Sequence, residues 1–336
     1  MKTLICQKPG SLRLEDRPFP VPGPGEVLLR VRRVGVCGTD LHAFEGTQPY
    51  FSYPRILGHE LGCEVADANG HEGLRDGDAV TVIPYIHCGH CGACLKGRPN
   101  CCVSLSVLGV HADGGMQEYM AVPASAVVYG DGLGLDVLAL VEPLAIGAHG
   151  VRRAAIGPGE DVLVIGAGPI GMGLMCFARM QGARVIAMDV NSGRLEACRA
   201  LGVECRIHSG TEASEEAVRE ITGGRMPDVV IDATGNLSAI NHAFGLLSHA
   251  GRYVLVGLQK GDIQFSHPAF HKREATLMSS RNATAADFHT VMGRFHDGSL
   301  SADDFLTHRA SLQETAALFP TWQDPATGVV KALIHI

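Results

Sequence analysis

The 336-residue chain has no uninterrupted apolar run of membrane-spanning length, and its start, MKTLICQKPG, lacks the long apolar core of a secretory signal. It also lacks a basic excess: 28 Lys and Arg face 35 Asp and Glu, for a formal net charge of −7. That balance gives neither nucleic acid nor an anionic membrane an electrostatic reason to bind. Internal repeats and low-complexity tracts are absent too. With 46% hydrophobic and 19% charged residues, the composition is globular rather than disordered. A cytoplasmic protein of two domains is the expectation.

What is present changes texture along the chain. Before about residue 150, short strand-like runs such as EVLLRVRRVGV and DAVTVIPY are broken by Gly and Pro, with a proline-rich turn at PFPVPGPG. From residue 161, DVLVIGAG reads as a buried strand and PIGMGLMCFARMQGA as a helix. RVIAMDV, SGRLEACRALGV, PDVVIDATG and GRYVLVGL continue as strand, helix, strand and strand. Such alternation predicts a doubly wound parallel sheet. A helix, ADFHTVMGRFHDG, and a final strand, GVVKALIHI, form a tail too short to fold alone.

Gly166, Gly168 and Gly171, with Pro169 and Ile170 between them, form G-A-G-P-I-G between a strand and a helix. The first glycine permits a tight turn, the second lets backbone approach a pyrophosphate, and the third lets helix pack on strand. The helix N-terminus then offers unpaired N–H groups to the phosphates. Asp189, 18 residues beyond Gly171 at the end of the next strand, suits the ribose hydroxyls and favours NAD+ over NADP+. Arg194, five residues later, keeps the phosphorylated cofactor open.

Eleven cysteines are present, five of them in HCGHCGACLKGRPNCC at 87–102. In a reducing compartment a cluster of this kind favours metal over disulfide. Cys88, Cys91, Cys94 and Cys102 can wrap a tetrahedral Zn²⁺ and leave no coordination position free, as structural sites do. Gly89, Gly92 and Gly97 suit sharp turns around the ion. Iron–sulfur ligation competes with zinc on donor type, and Cys101 competes with Cys102 as the fourth ligand. A second set is dispersed through GVCGTDLH at 35–42, LGHELG at 57–62 and LVEPLAIGAH at 140–149.

Taken together these stretches resemble the zinc-containing medium-chain dehydrogenase/reductase superfamily over nearly the whole chain, in its polyol and threonine dehydrogenase branch. The resemblance implies a GroES-like, β-rich catalytic domain at 1–147 with the cysteine lobe at 88–102. It further implies a Rossmann domain at 148–284 and a C-terminal segment, 285–336, returning to the catalytic side. Cys37, His59 and Glu60 match the family's catalytic zinc ligands, and Glu142 the nearby acid that serves as ligand or partner of water. Two Zn²⁺ per chain and NAD+ are the implied cofactors. An ion so held acts as a Lewis acid on a substrate alcohol, and the nicotinamide accepts hydride. Thr39 and His42 match a hydroxyl and an imidazole that conduct the released proton, and Asp40 is read as orienting a ligand.

QPYFSYPRILGHE, SVLGVHADGG, VIDATGN, VGLQKGDIQFSHPAFHKREATLMSSRNATAADF and LTHR are similar to bacterial sugar-acid dehydrogenases of the L-gulonate/L-galactonate 5-dehydrogenase type. By that resemblance the substrate is an aldonate whose secondary hydroxyl becomes a ketone. Arg281, a guanidinium suited to a carboxylate, is the expected substrate contact. Asn282 beside it replaces the tyrosine of sorbitol dehydrogenases. Lys272, Arg273, His267 and His271 are read as surface residues. A sorbitol, other polyol or L-threonine dehydrogenase is the alternative, and a non-catalytic metabolite-binding regulator the second. A homo-oligomer, dimer or tetramer, follows from the family.

Overall fold

Between Glu26 and Gly35 the buried residues first alternate, at Val27, Leu29 and Val31, and then change phase to Val34. In the computed structural model this strand holds the centre of a seven-stranded sheet, and its register slips at Val31/Arg33. A bulge there explains the change, since one extra residue moves every later side chain to the other face. The structure describes residues 1–48, 51–210 and 213–336. Pro49 and Tyr50 of QPYFSYPRILGHE fall outside these.

The chain divides into two units, Met1–Pro143 with Ala283–Ile336, and Leu144–Asn282. The sequence expectation sets the limits slightly later, at 147 and 284. The first division falls at Pro143, inside the helix Leu135–Ala154, where no break in composition marks it.

In the first unit the sheet runs Val127–Tyr129, Ala79–Val82, Glu60–Asp67, Glu26–Gly35, Lys331–His335, Leu306–Ser311, with Tyr119–Pro123 also on Glu26–Gly35. Thus the last strand of the chain lies beside one of the first: Leu333 pairs with Gly35 and Ile334 with Val34. On the other edge of Glu26–Gly35, Gly35 pairs with Glu60 and Val34 with Leu61. Leu4, Leu29, Leu61, Met116, Phe319 and Ile334 belong to the core that covers this sheet.

The second unit is a six-stranded parallel sheet. Its order is Cys205–His208, Arg184–Asp189, Asp161–Ile165, Val229–Asp232, Arg252–Leu255, Thr276–Ser279. Numbered within the unit this is 3-2-1-4-5-6, the doubly wound order with its switch point between Asp161–Ile165 and Val229–Asp232. All five residues of Asp161–Ile165 are buried, as a strand covered on both faces requires. Cys205–His208 and Thr276–Ser279 escape the sequence reading. Both lie at sheet edges, where one or no residue of the strand is buried, so neither carries an apolar run.

Candidate active site

Sheet register brings the dispersed set together. Gly35 faces Glu60 across the ladder, so Cys37, two residues past Gly35, emerges beside His59 and Glu60. Cys37 caps the helix Gly38–Glu45 with extended φ and ψ, and its amide donates to Asp40 Oδ2 at 2.9 Å. Asp40 Oδ1 accepts the Gly58 amide at 3.1 Å and lies 3.8 Å from His59 Nδ1. One buried carboxylate therefore ties the cysteine-bearing segment to the histidine-bearing one.

Cys37, His59 and Glu60 each offer a donor atom within 4.8 Å of the others. A thiol, an imidazole and a carboxylate suit a borderline divalent ion such as Zn²⁺. One observation fits a cation here: Glu142 Oε2 is buried and has no hydrogen-bond partner, a costly state for a polar atom unless something else satisfies it. His59 Nδ1 faces Asp40, which leaves the other ring nitrogen for an ion. Glu142 lies outside the three-donor set; its Oε1 accepts the hydroxyl of Tyr85, which opens the short strand Tyr85–Ile86. Glu60 is gripped by Lys331, whose Nζ lies 2.6 and 2.7 Å from its two oxygens.

The site's electrostatics follow from burial. Burial opposes a charged His59, yet Cys37, Asp40 and Glu142 around it hold its pKa well above the ordinary value. Burial pushes Glu142 up to about 7, aided by Glu60, while His59 and the Tyr85 hydroxyl act the other way. Burial, then Glu142, raises Tyr85 well above a normal phenol. Thr39 is half-buried on the same helix as His42, whose side chain is 63% exposed and meets Glu45 Oε2 at 3.2 Å and Thr47 Oγ1 at 3.3 Å.

In the cysteine lobe, Cys88, Cys91, Cys94 and Cys102 lie within 4.8 Å of one another. Cys91 and Cys94 sulfurs are 3.5 Å apart, Cys88 and Cys102 3.5 Å, and Cys91 and Cys102 3.9 Å. Zn–S bonds of about 2.3 Å in a tetrahedron place sulfurs about 3.8 Å apart, so the four fit one zinc ion. Amides of Cys88 and Cys91 point at sulfurs of Cys102 and Cys88, both at 3.4 Å. Gly89 and Gly97 take left-handed φ, as turns around an ion would need; Gly92 instead opens the short helix Gly92–Leu95. Cys101 is exposed and its sulfur is not in the set.

At the nucleotide motif, Gly166 has φ +101°, and a Cβ on Gly171 would meet the Gly166 carbonyl oxygen at 1.7 Å. Gly168 caps the helix Pro169–Met180, with Pro169 in its first turn and Ile170 half-buried. A Cβ on Gly168 would meet nothing within 4 Å, which leaves the helix N-terminus open to an anion. Asp189 ends its strand with Oδ2 accepting the Ala167 amide at 2.6 Å and Oδ1 the Asn191 amide at 2.8 Å. Its carboxylate thus braces the glycine turn, and the donor set fits a dinucleotide. Arg194 is half-buried in the first turn of Ser192–Ala200. Arg281 is exposed and Asn282 half-buried with φ +53°, both in the second unit.

Three contributors escape the sequence reading. Gly35 stands in a quoted motif, but its role emerges only in three dimensions, where a Cβ on it would lie 2.1 Å from Glu60 Oε2. Lys331 had a signal, a lysine inside the apolar run GVVKALIHI. Tyr85 had none.

Comparisons with known proteins agree with this architecture. Residues 23–131 match the alcohol dehydrogenase GroES-like domain, and residues 169–297 the zinc-binding dehydrogenase family. The chain is 47% identical over 319 residues to L-galactonate-5-dehydrogenase of Escherichia coli K12, covering 94% of each. It is 32% identical to 2-dehydro-3-deoxy-L-galactonate 5-dehydrogenase of Pseudoalteromonas atlantica, over 94% of this chain and 92% of that one. A crystal structure of the alcohol dehydrogenase RspB from E. coli CFT073 complexed with NADH superposes with a TM-score of 0.93 at 31% identity. It is covered to 99%, and this chain to 100%.

Proposed function

This chain belongs to the zinc-containing medium-chain dehydrogenases, and from that premise we propose that it oxidises a secondary hydroxyl of an aldonate to a keto-acid with NAD+. The likeness to L-galactonate-5-dehydrogenase, 47% over 94% of both chains, carries the substrate class. A sugar acid of L-galactonate or L-gulonate type is the substrate proposed.

Cys37, His59 and Glu60 would hold the catalytic zinc, with Asp40 orienting His59 and Glu142 close by. When bound, zinc supplies Lewis acidity to the alcohol and NAD+ accepts the hydride. In the metal-free site burial pushes Glu142 up to about 7, and a cation bound beside it would favour its ionised form, so its carboxylate can serve as partner to the ion or to water. Thr39 and the exposed His42 would pass the substrate's proton to solvent, a role that the family resemblance and the exposure of His42 support. Cys88, Cys91, Cys94 and Cys102 would close around a second zinc that stabilises the lobe.

Gly166, Gly168, Pro169, Ile170 and Gly171 would bind the pyrophosphate, and Asp189 the ribose, with Arg194 alongside. Arg281 would clasp the substrate carboxylate, next to Asn282. Families of this kind supply the reason to propose a homo-oligomer. No helix among the described residues is long and apolar enough to cross a membrane. A cytoplasmic address is proposed from the cysteine cluster, whose reduced, metal-ready state suits a reducing compartment.

Steady-state rates with NAD+ on L-galactonate, L-gulonate, D-sorbitol and L-threonine test the substrate. An aldonate should lead in kcat/KM by at least about a hundredfold, since a guanidinium–carboxylate pair is worth a few kcal/mol. Faster turnover of a polyol or of threonine would overturn the aldonate assignment. Arg281→Ala should raise KM for the acid far more than for a neutral polyol.

A further inference from the structure

Lys331 is the one buried lysine or arginine among the described residues, and its side chain is 2% exposed against 0% for Glu60. Its ammonium spends its three protons on Glu60 Oε1 at 2.6 Å, Glu60 Oε2 at 2.7 Å and the Val36 carbonyl at 3.1 Å. The geometry is unusual for neighbours two strands apart. Lys331–His335 and Glu60–Asp67 flank Glu26–Gly35 on opposite edges, so the lysine reaches across the intervening strand. It can do so because Gly35 has no side chain: a Cβ there would fall 2.1 Å from Glu60 Oε2. Both a buried cation and a gap for it are built into the sheet.

We infer that Lys331 is a positioning residue that sets the metal preference of the site by weakening Glu60 as a ligand. The inference rests on the reading of Cys37, His59 and Glu60 as metal ligands. A carboxylate oxygen has two lone pairs, so Lys331 takes one from each oxygen and leaves one for an ion. The adjacent positive charge also draws electron density from that carboxylate and fixes its orientation. Hard ions such as Mn²⁺ depend on oxygen donors, whereas Zn²⁺ also draws on the thiolate of Cys37 and the imidazole of His59. Handicapping Glu60 therefore costs Mn²⁺ more than Zn²⁺. Lys331 makes a mixed sulfur, nitrogen and oxygen site behave as a sulfur–nitrogen one.

The test uses full-length protein whose four-cysteine ion is retained, as counted by elemental analysis. Lys331→Met keeps the length of the side chain and removes its charge. Affinities for Zn²⁺ and Mn²⁺ are measured by chelator competition, and the Co²⁺-loaded protein is read by its visible absorption bands. The Zn²⁺ to Mn²⁺ affinity ratio should fall at least tenfold in Lys331→Met, with shifted Co²⁺ bands. Lys331→Arg should restore both towards wild type, which a loss of packing alone would not do. If Lys331→Met does not fold, Lys331→Gln takes its place, since its amide can still donate to Glu60 without a charge.

An unchanged ratio and unchanged bands in a folded variant would overturn the inference. Failure of the underlying reading looks different: wild-type protein would then bind one ion per chain rather than two.

Discussion

Asp40 Oδ1 accepts the amide of Gly58 at 3.1 Å, across 18 residues of sequence, while its other oxygen accepts the amide of Cys37 at 2.9 Å. A fully buried carboxylate thus links the segments that carry Cys37 and His59, in addition to the strand pairing of Gly35 with Glu60. Asp40→Ala would leave one buried and one half-buried amide without partners, at a cost of about 1–3 kcal/mol each. Chemical denaturation should show a loss of about 2–6 kcal/mol. Metal affinity at Cys37 and His59 should drop about 10- to 100-fold, the range typical of lost ligand-orienting groups. A variant with wild-type metal affinity would show that Asp40 only supports the fold.

Glu142 gives the metal-free protein a pH dependence whose sign is fixed by burial. Its folded pKa, pushed from 4.5 up to about 7, means that the folded state binds the proton more tightly than the unfolded chain. The stabilisation is complete below about 4.5 and is lost as pH rises through about 7. Metal-free Glu142→Gln, which cannot ionise, should lose less stability than metal-free wild type between about pH 5 and 8. Denaturation midpoints across that range decide it, and parallel curves would remove Glu142 from the account. Because the Tyr85 hydroxyl lowers this pKa, Tyr85→Phe should shift the same loss to higher pH.

At the nucleotide motif, Asp189 braces the Ala167 amide and is proposed to meet a ribose as well. Asp189→Ala should cut kcat/KM with NAD+ by about 10- to 100-fold, as loss of a hydrogen bond to a charged group of about 1.5–3 kcal/mol implies. Use of NADP+ should suffer less, since the repulsive carboxylate is gone. The measurement is the ratio of the two kcat/KM values; an unaltered ratio would falsify the role given to Asp189.

The cysteine lobe predicts a split between Cys101 and its neighbours. Cys94→Ser removes one of four converging sulfurs, so elemental analysis should find one zinc per chain and the melting temperature should fall by several degrees. Cys101→Ser changes an exposed sulfur outside the set and should leave both zinc content and melting unaltered. Loss of an ion from Cys101→Ser would reverse the assignment of the fourth ligand.

The glycine motif and the four clustered cysteines were legible because their chemistry is local. G-A-G-P-I-G between Ile165 and Met172 sets a turn and a helix start within one short stretch, and the cysteines need only a loop to meet. The alternating strands and helices after residue 161 were legible for the same reason. Edge strands such as Thr276–Ser279 were not, because a half-exposed strand needs no distinctive pattern.

The amino-acid sequence by itself supplied the candidate donors: a thiol at 37, an imidazole and a carboxylate at 59 and 60, and a lobe of cysteines whose fourth member, Cys101 or Cys102, it left open. Which groups face those donors was decided by tertiary structure alone. Lys331 meets Glu60, 271 residues away in sequence, because the last strand lies beside Glu26–Gly35 and Gly35 leaves room between them. Tyr85 meets Glu142 because a short strand and a helix converge on one buried point. Residue spacing carries no information about strand order, and strand order is what places a buried charge beside its partner.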